Sequence, residues 1–417
     1  MTAAGPTRVR ACRVCGNDEL AGVIDLGEQY LSSVFPDGPG YRDRIAPAPL
    51  DLVLCTERDG SCGLPQLGHR HDLTAMYADY PYASATNAAM RLALADVAAS
   101  GRAAVELAGG DVVLDVGGND GTLIGAFADD RVDLVVIDPA QGVDPVFDSE
   151  RLARVNDFFS AAAYRSVADR PAKLAFSVAM FYHLDDPATF VEEVAQVLAQ
   201  DGVWVVQMAY LPAMLATNMY DNIVHEHAGY YSVATMQRVL AQAGLEVFDV
   251  TFNDLYGGSF RLFAGHRGRR AATERMAAAL AAEDAQGLRG PEPYRSFQRR
   301  IEQTREELVA QCQRIVERGE SVWAYGASTK GNTILQFCGI GADQLVAAAD
   351  VSPVKLGKLM IGSDVPIRHE DEMRAERPDW LLALPYSFVD AFVEREAGLV
   401  ARGTRFLVPL PDVHSVP

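Results

Sequence analysis

The residues best suited to chemistry are His225-Glu226-His227, two imidazoles around one carboxylate in a chain with only eight histidines. Imidazole titrates near neutral pH and serves as a general base. A neighbouring carboxylate orients the ring or stabilises its protonated form. Tyr220-Asp221-Asn222 precedes the cluster and Tyr230-Tyr231-Ser232 follows it; Tyr220 joins the three as a candidate catalytic group. The spacing is not the helical i, i+4 pair of metalloproteases, which speaks against a hydrolytic metal. On the residues alone, another kind of metal site or a salt-bridged loop stays open.

A second constellation is Leu114-Asp115-Val116-Gly117-Gly118-Asn119-Asp120-Gly121. An apolar strand running into glycines lets the backbone turn tightly and approach a ligand, and amides at the start of a following helix point at it. Asp138 ends the next apolar run, where a carboxylate can take both ribose hydroxyls. The acidic Asp115 and Asp120 beside the turn suit a cationic sulfonium better than a diphosphate, which points to S-adenosylmethionine. Asn156 and Asp157 complete the residues assigned to this ligand. Tyr77, Tyr80 and Tyr82, just upstream, either cover the cofactor (Tyr80 and Tyr82 being the candidates) or fasten a small domain to a large one.

Cys12-x-x-Cys15 has knuckle spacing, and Cys55 and Cys62 form a wider second pair with six residues between them. Four thiolates make a closed structural Zn²⁺ site. Four reduced thiols are the alternative. Tyr325-Gly326-Ala327-Ser328-Thr329-Lys330-Gly331 again joins a strand to a helix through small residues; its amides and Lys330 suit a phosphate, or the segment is a plain turn.

The elements that must position these groups follow from periodicity. Residues 1–75 are short-stranded and poor in apolar residues, so a metal staple is needed for an independent fold. From 76 to 268, apolar strands at Val112–Val116, Asp133–Ile137, Leu174–Val178 and Val203–Val206 alternate with helical stretches, the mark of an α/β domain with a parallel sheet. Leu245–Asn253 and Gly257–Ala264 are expected to close that sheet on an antiparallel side. Residues 269–318 form a charged helical connector. The alternation restarts at 319–417, which predicts a smaller C-terminal Rossmann-like domain. At 417 residues and 49% hydrophobic content, this number of domains is expected.

The formal net charge of −19 repels phosphate polymers and anionic lipid, so neither nucleic acid nor a membrane is an expected partner. No signal-like start and no span of about 18 apolar residues is seen. A cytoplasmic protein acting on a small molecule is the expectation.

These motifs, in this order, resemble the three-domain sugar C-methyltransferases of antibiotic deoxysugar pathways. The resemblance spans nearly the whole chain and rests most on His225-Glu226-His227 together with Gly257-Gly258-Ser259-Phe260-Arg261. It implies a zinc-binding N-terminal domain, a central S-adenosylmethionine domain and a C-terminal domain that helps hold a nucleotide. It also implies methylation of carbon next to a ketone, such as C3 of a 4-keto sugar on thymidine diphosphate. His227 would be the base, with Glu226 orienting it or stabilising the enediolate. Ser259, Arg261 and Lys330 would meet the substrate. Two positions depart from the family: Val224 stands where tyrosine is frequent, leaving Tyr220 or Tyr230 to supply a hydroxyl, and the Cys55–Cys62 spacing is wide. The competing readings are methylation of another metabolite on carbon or oxygen, and a non-catalytic nucleotide-sugar binder. A nicotinamide oxidoreductase is disfavoured, because Gly326–Gly331 lacks G-x-G-x-x-G.

Overall fold

The computed structural model describes residues 5–56, 60–71, 83–86, 88–140 and 143–417. The N-terminal part is a three-stranded antiparallel sheet of Leu20–Gln29, Ala48–Cys55 and Pro65–Leu67. Its cysteines gather at one end.

The central part is a seven-stranded sheet. Its order is Leu245–Asn253, Ser259–His266, Leu198–Ala209, Ala172–Val178, Val112–Val116, Asp133–Ile137, Leu152–Val155. The last five strands are parallel. Ser259–His266 runs antiparallel to both its neighbours, which closes the sheet as the sequence suggests. All five residues of Val112–Val116 are buried, as a strand covered on both faces requires. Strand order reverses between Val112–Val116 and Ala172–Val178. Ligands of open α/β sheets lodge outside the strand ends at such a switch point.

Two helical segments are short, and one strand is additional. The helical stretch before the first central strand is Ala88–Ala104, and the one after the glycine turn is only a short 3-10 turn, Ile124–Phe127. Glycines on either side of Thr122 leave too little helix-forming chain there. Leu152–Val155 is an additional edge strand; its four residues are all half-buried, so neither alternation nor an apolar run announces it.

The C-terminal part is a six-stranded sheet, Ile367–His369, Ala348–Asp350, Val322–Tyr325, Trp380–Ala383, Arg405–Val408 and His414–Val416; only the last strand is antiparallel. The connector is more than a spacer. Helix Glu292–Glu317 buries Tyr294, Phe297, Ile301, Leu308, Cys312 and Ile315 along one stripe. That stripe belongs to one core with Ile24 and Leu52 of the N-terminal sheet, Met214 and Ile223 of the central part, and Ile334 and Leu382 of the C-terminal sheet. The three parts therefore share a single apolar seam.

Helix Ala88–Ala104 approaches the sheet closely at Gly101. A Cβ there would lie 2.5 Å from Phe176 Cζ, and Phe176 is fully buried. Gly101→Ala gains about 1 kcal/mol of helix propensity, but overpacking costs about 1–3 kcal/mol. Urea unfolding is expected to show a net loss of stability; a gain would mean the helix can move off the sheet.

Candidate active site

The His225-Glu226-His227 segment is an irregular turn near the carboxyl ends of the central strands. The N-terminal sheet holds it by backbone pairing. Leu67 N–H donates to Ala228 O at 3.1 Å and Tyr230 N–H donates to Pro65 O at 2.9 Å. Arg13 secures the same join: its Nη1 donates to Gln66 Oε1 at 3.2 Å and to Leu67 O at 2.8 Å, and its Nε to Asp185 at 3.0 Å.

His227 is the half-buried member of the trio. Its Nδ1 lies 2.7 Å from the Asn222 carbonyl. A carbonyl only accepts, so Nδ1 carries the proton and Nε2 keeps a lone pair. The ring stacks obliquely on Tyr182 at 4.3 Å and meets His183 edge-on at 5.1 Å. It helps to line a small cavity with Tyr182, Tyr210, Asn222, Tyr230 and Tyr231. Burial first, then the neighbouring His183, holds its pKa well below that of free imidazole. It is neutral at pH 7, as a base must be.

Glu226 is buried and its Oε2 has no hydrogen-bond partner among the described residues. Burial raises its pKa to about 7. His225 faces elsewhere: its Nε2 lies 3.3 Å from Ala48 O and its ring meets His71 edge-on at 4.6 Å. Burial and His71 lower its pKa to about 3.

Tyr220 does not join this cluster. Its hydroxyl lies 3.4 Å from Cys338 Sγ and its ring packs on Phe337, so it fastens the loop to helix Thr329–Cys338. The Tyr230 hydroxyl is at the site: it donates to the same Asn222 carbonyl at 3.4 Å. Sequence reasoning overlooked Tyr182 and His183. Their signal was positional, since they directly follow the strand Ala172–Val178 at the switch point. The His183 Nδ1 lies 2.9 Å from Glu226 O and so braces the turn.

The glycine turn lies on the other side of that switch point. Gly117 and Gly121 take φ of 72° and 84°, and Asn119 takes 51°. A Cβ at Gly117 would press on Met180 at 3.1 Å, so the narrow turn needs glycine. Asp115 is buried and its Oδ2 has no partner among the described residues. Burial, then Asp138, raises its pKa to about 7. A bound cation would relieve this, so the cradle fits a sulfonium ligand. Asp138 is less available than expected. Its two oxygens accept the Asn119 and Ala140 amides, each at 2.7 Å. Asp120 likewise accepts the Ala85 amide at 2.7 Å. Asn156 and Asp157 are exposed at the end of the edge strand. Tyr77, Tyr80 and Tyr82 lie outside the described residues.

Ser259 and Arg261 are both bonded within the fold. Ser259 Oγ donates to Leu255 O at 2.9 Å. Arg261 is buried; its Nε donates to Gln207 Oε1 at 2.8 Å, and its Nη2 to Asp96 at 2.7 Å. It ties strand Ser259–His266 to helix Ala88–Ala104. Neither partner could be read from the sequence, as each lies more than 50 residues away. Lys330 stands at the start of helix Thr329–Cys338, from where its charge bears on both His227 and Asp221.

The four sulfur atoms of Cys12, Cys15, Cys55 and Cys62 lie within 4.8 Å of one another. The Cys12–Cys62 and Cys15–Cys55 pairs are at 3.3 and 3.5 Å. Tetrahedral zinc thiolates require about 3.8 Å between sulfurs, given Zn–S of about 2.3 Å. The cluster fits a closed structural zinc ion, which would cross-link the segment before strand Leu20–Gln29 to the hairpin between Ala48–Cys55 and Pro65–Leu67 at one end of the N-terminal sheet. The wide Cys55–Cys62 spacing is no obstacle.

Fold and site together define a methyltransferase with a zinc-binding N-terminal domain. Three family models match in order: a zinc binding domain over residues 12–77, a methyltransferase domain over 86–250, and a C-methyltransferase C-terminal domain over 254–411. C-methyltransferase NovU of Streptomyces niveus is 29% identical over 408 residues, which cover 96% of this chain and 95% of that protein. The chain is thus an S-adenosylmethionine-dependent C-methyltransferase. Solved structures resemble it in part. CalO1, a methyltransferase in calicheamicin biosynthesis in its SAH-bound form, is 14% identical with a TM-score of 0.33, over 42% of this chain and 54% of that one. An S-adenosylmethionine-dependent methyltransferase from Clostridium acetobutylicum is 13% identical with a TM-score of 0.32, over 43% and 92%. Among the described residues, no helix is long and apolar enough to cross a membrane.

Two outcomes are expected. Chelating zinc should raise hydrogen exchange through residues 12–71 and with it through 225–230, because the two segments are paired; unchanged exchange in 225–230 would separate them. Arg261→Met should lower stability by about 2 kcal/mol through lost charge-assisted bonds, measured by urea unfolding. Unchanged stability with weakened substrate binding would return Arg261 to the substrate site.

Proposed function

We propose that this enzyme methylates carbon next to the ketone of a nucleotide-linked 4-keto-deoxysugar, at C3, in a natural-product pathway of the cytoplasm. The observation that carries this reading is the Nδ1–H of His227 on the Asn222 carbonyl, which leaves Nε2 as a lone-pair base at the cavity.

Carbon beside a carbonyl is acidic because the resulting charge delocalises onto oxygen. His227 Nε2 takes that proton. The enediolate oxygen then needs donors or a cation. Lys330 supports the reading, since its charge is felt at His227. A single preorganised donor of this kind contributes about 3–4 kcal/mol. Glu226, with an unpartnered buried oxygen and a pKa raised to about 7, is suited to hold a proton and donate it to a substrate oxygen. When bound, S-adenosylmethionine supplies an electrophilic methyl group. The residues assigned to hold it are Asp115, Gly117, Asn119, Gly121 and Asp138, with Tyr80 and Tyr82, Asn156 and Asp157 at the margins. The tyrosines Tyr182 and Tyr230 wall the cavity, and holding both reactants there supplies much of the remaining rate. Zinc stays outside the chemistry. The same reading divides the chain at 1–75, 76–268, 269–318 and 319–417.

The test uses S-adenosylmethionine with a ¹³C-labelled methyl and a thymidine diphosphate-linked 4-keto-6-deoxy sugar. The wild-type product is expected to carry ¹³C on carbon. His227→Gln should bind S-adenosylmethionine as the wild type does and lose at least about 100-fold in turnover, the lower range for a general base. A label on oxygen, or full turnover by His227→Gln, would overturn the reading.

A further inference from the structure

The 3-10 turn Tyr220–Asn222 lies against the C-terminal domain, and Asp221 is one point of contact. Its carboxylate is 1% exposed. Its Oδ1 accepts a hydrogen bond from the Tyr386 hydroxyl at 3.1 Å. Tyr386 opens the turn that follows strand Trp380–Ala383. Lys330, at the start of helix Thr329–Cys338, bears on the same carboxylate electrostatically. Both residues therefore stand at the carboxyl ends of C-terminal strands, the edge where such sheets receive ligands. The residue after Asp221 is Asn222, whose carbonyl sets the tautomer of His227.

We infer that Tyr386 and Asp221 are positioning residues for His227: the C-terminal domain, through the Tyr386–Asp221 hydrogen bond, fixes the Asn222 carbonyl that keeps the His227 proton on Nδ1. This rests on the role of His227 proposed above. The physical ground is the cost of a buried carboxylate, which must keep its partners. A turn of three residues has little stiffness of its own. Its other anchors are the Asn222 amide on Met219 O at 3.2 Å, the Ile223 amide on Tyr220 O at 2.9 Å, the Asn222 side chain on Met214 Sδ at 3.8 Å and the Tyr230 hydroxyl on the Asn222 carbonyl at 3.4 Å, all within the central part. Among the described residues, Tyr220 on Cys338 and Tyr386 on Asp221 are side-chain ties of this turn to the C-terminal domain, and the second adjoins the carbonyl. A crevice filled by the carrier half of the substrate would thus be sensed one peptide away from the base.

The test is a ring-nitrogen spectrum of the zinc-loaded full chain with ¹⁵N-histidine, His227 being assigned by its absence from His227→Gln. The groups facing His227 are Tyr182 and His183 after the fourth strand, Tyr230 in its own segment, and Lys330 from the C-terminal domain. The wild type is expected to show the Nδ1-protonated tautomer. Tyr386→Phe, which keeps the ring and removes only the hydroxyl, should give a tautomer mixture. It should also lose roughly tenfold in turnover, as second-layer partners of imidazoles do, with S-adenosylmethionine affinity unchanged. Asp221→Ala, which removes the acceptor, should act in the same direction. A His227 signal in Tyr386→Phe that coincides with the wild type overturns the inference, as does a wild-type ring protonated on Nε2. A wild-type Nδ1 tautomer that shifts in Tyr386→Phe, in an enzyme inert toward keto sugars, supports the positioning link and sinks only the proposed substrate.

Discussion

The contact on which the site depends is the hydrogen bond from His227 Nδ1 to the carbonyl of Asn222. Imidazole has two nitrogens, and a base needs the lone pair on the one that faces its substrate. A backbone carbonyl settles the question because it can only accept. Burial does the rest, keeping the ring neutral at working pH. The surrounding architecture can be read as what it takes to hold that carbonyl and that ring in register.

Three separate parts of the chain contribute. The strand Pro65–Leu67 pairs with the segment directly after His227, and Cys62 lies just before that strand. The zinc cluster thereby acts on the site through backbone, at a distance of a few residues, without entering the chemistry. Helix Glu292–Glu317 lays one apolar stripe against all three parts. A seam of that kind makes relative movement of the parts costly, since each buried large side chain is worth about 1.5–3 kcal/mol.

Much of this was legible in the sequence for definite reasons. The central strands are buried on both faces, so they appear as unbroken apolar runs, and the antiparallel pair Leu245–Asn253 and Ser259–His266 could be placed from them. The four cysteines could be grouped because thiolates have few other reasons to cluster. The edge strand Leu152–Val155 was silent, being half-buried throughout. The partners of Arg261 and Tyr220 could not be read because residue type does not reveal a partner. Arg261 is spent on Asp96 and Gln207, and Tyr220 on Cys338. Tyr182 and His183 were missed because only the sheet order shows which strand end faces the switch point.

The central claim is that His227 removes a proton from carbon. The most direct measurement is exchange of the α-hydrogen of a thymidine diphosphate-linked 4-keto-6-deoxy sugar in D₂O, with S-adenosylhomocysteine replacing the methyl donor. The account predicts deuterium at C3 with the wild type and none above background with His227→Gln. Equal exchange by both proteins would contradict it.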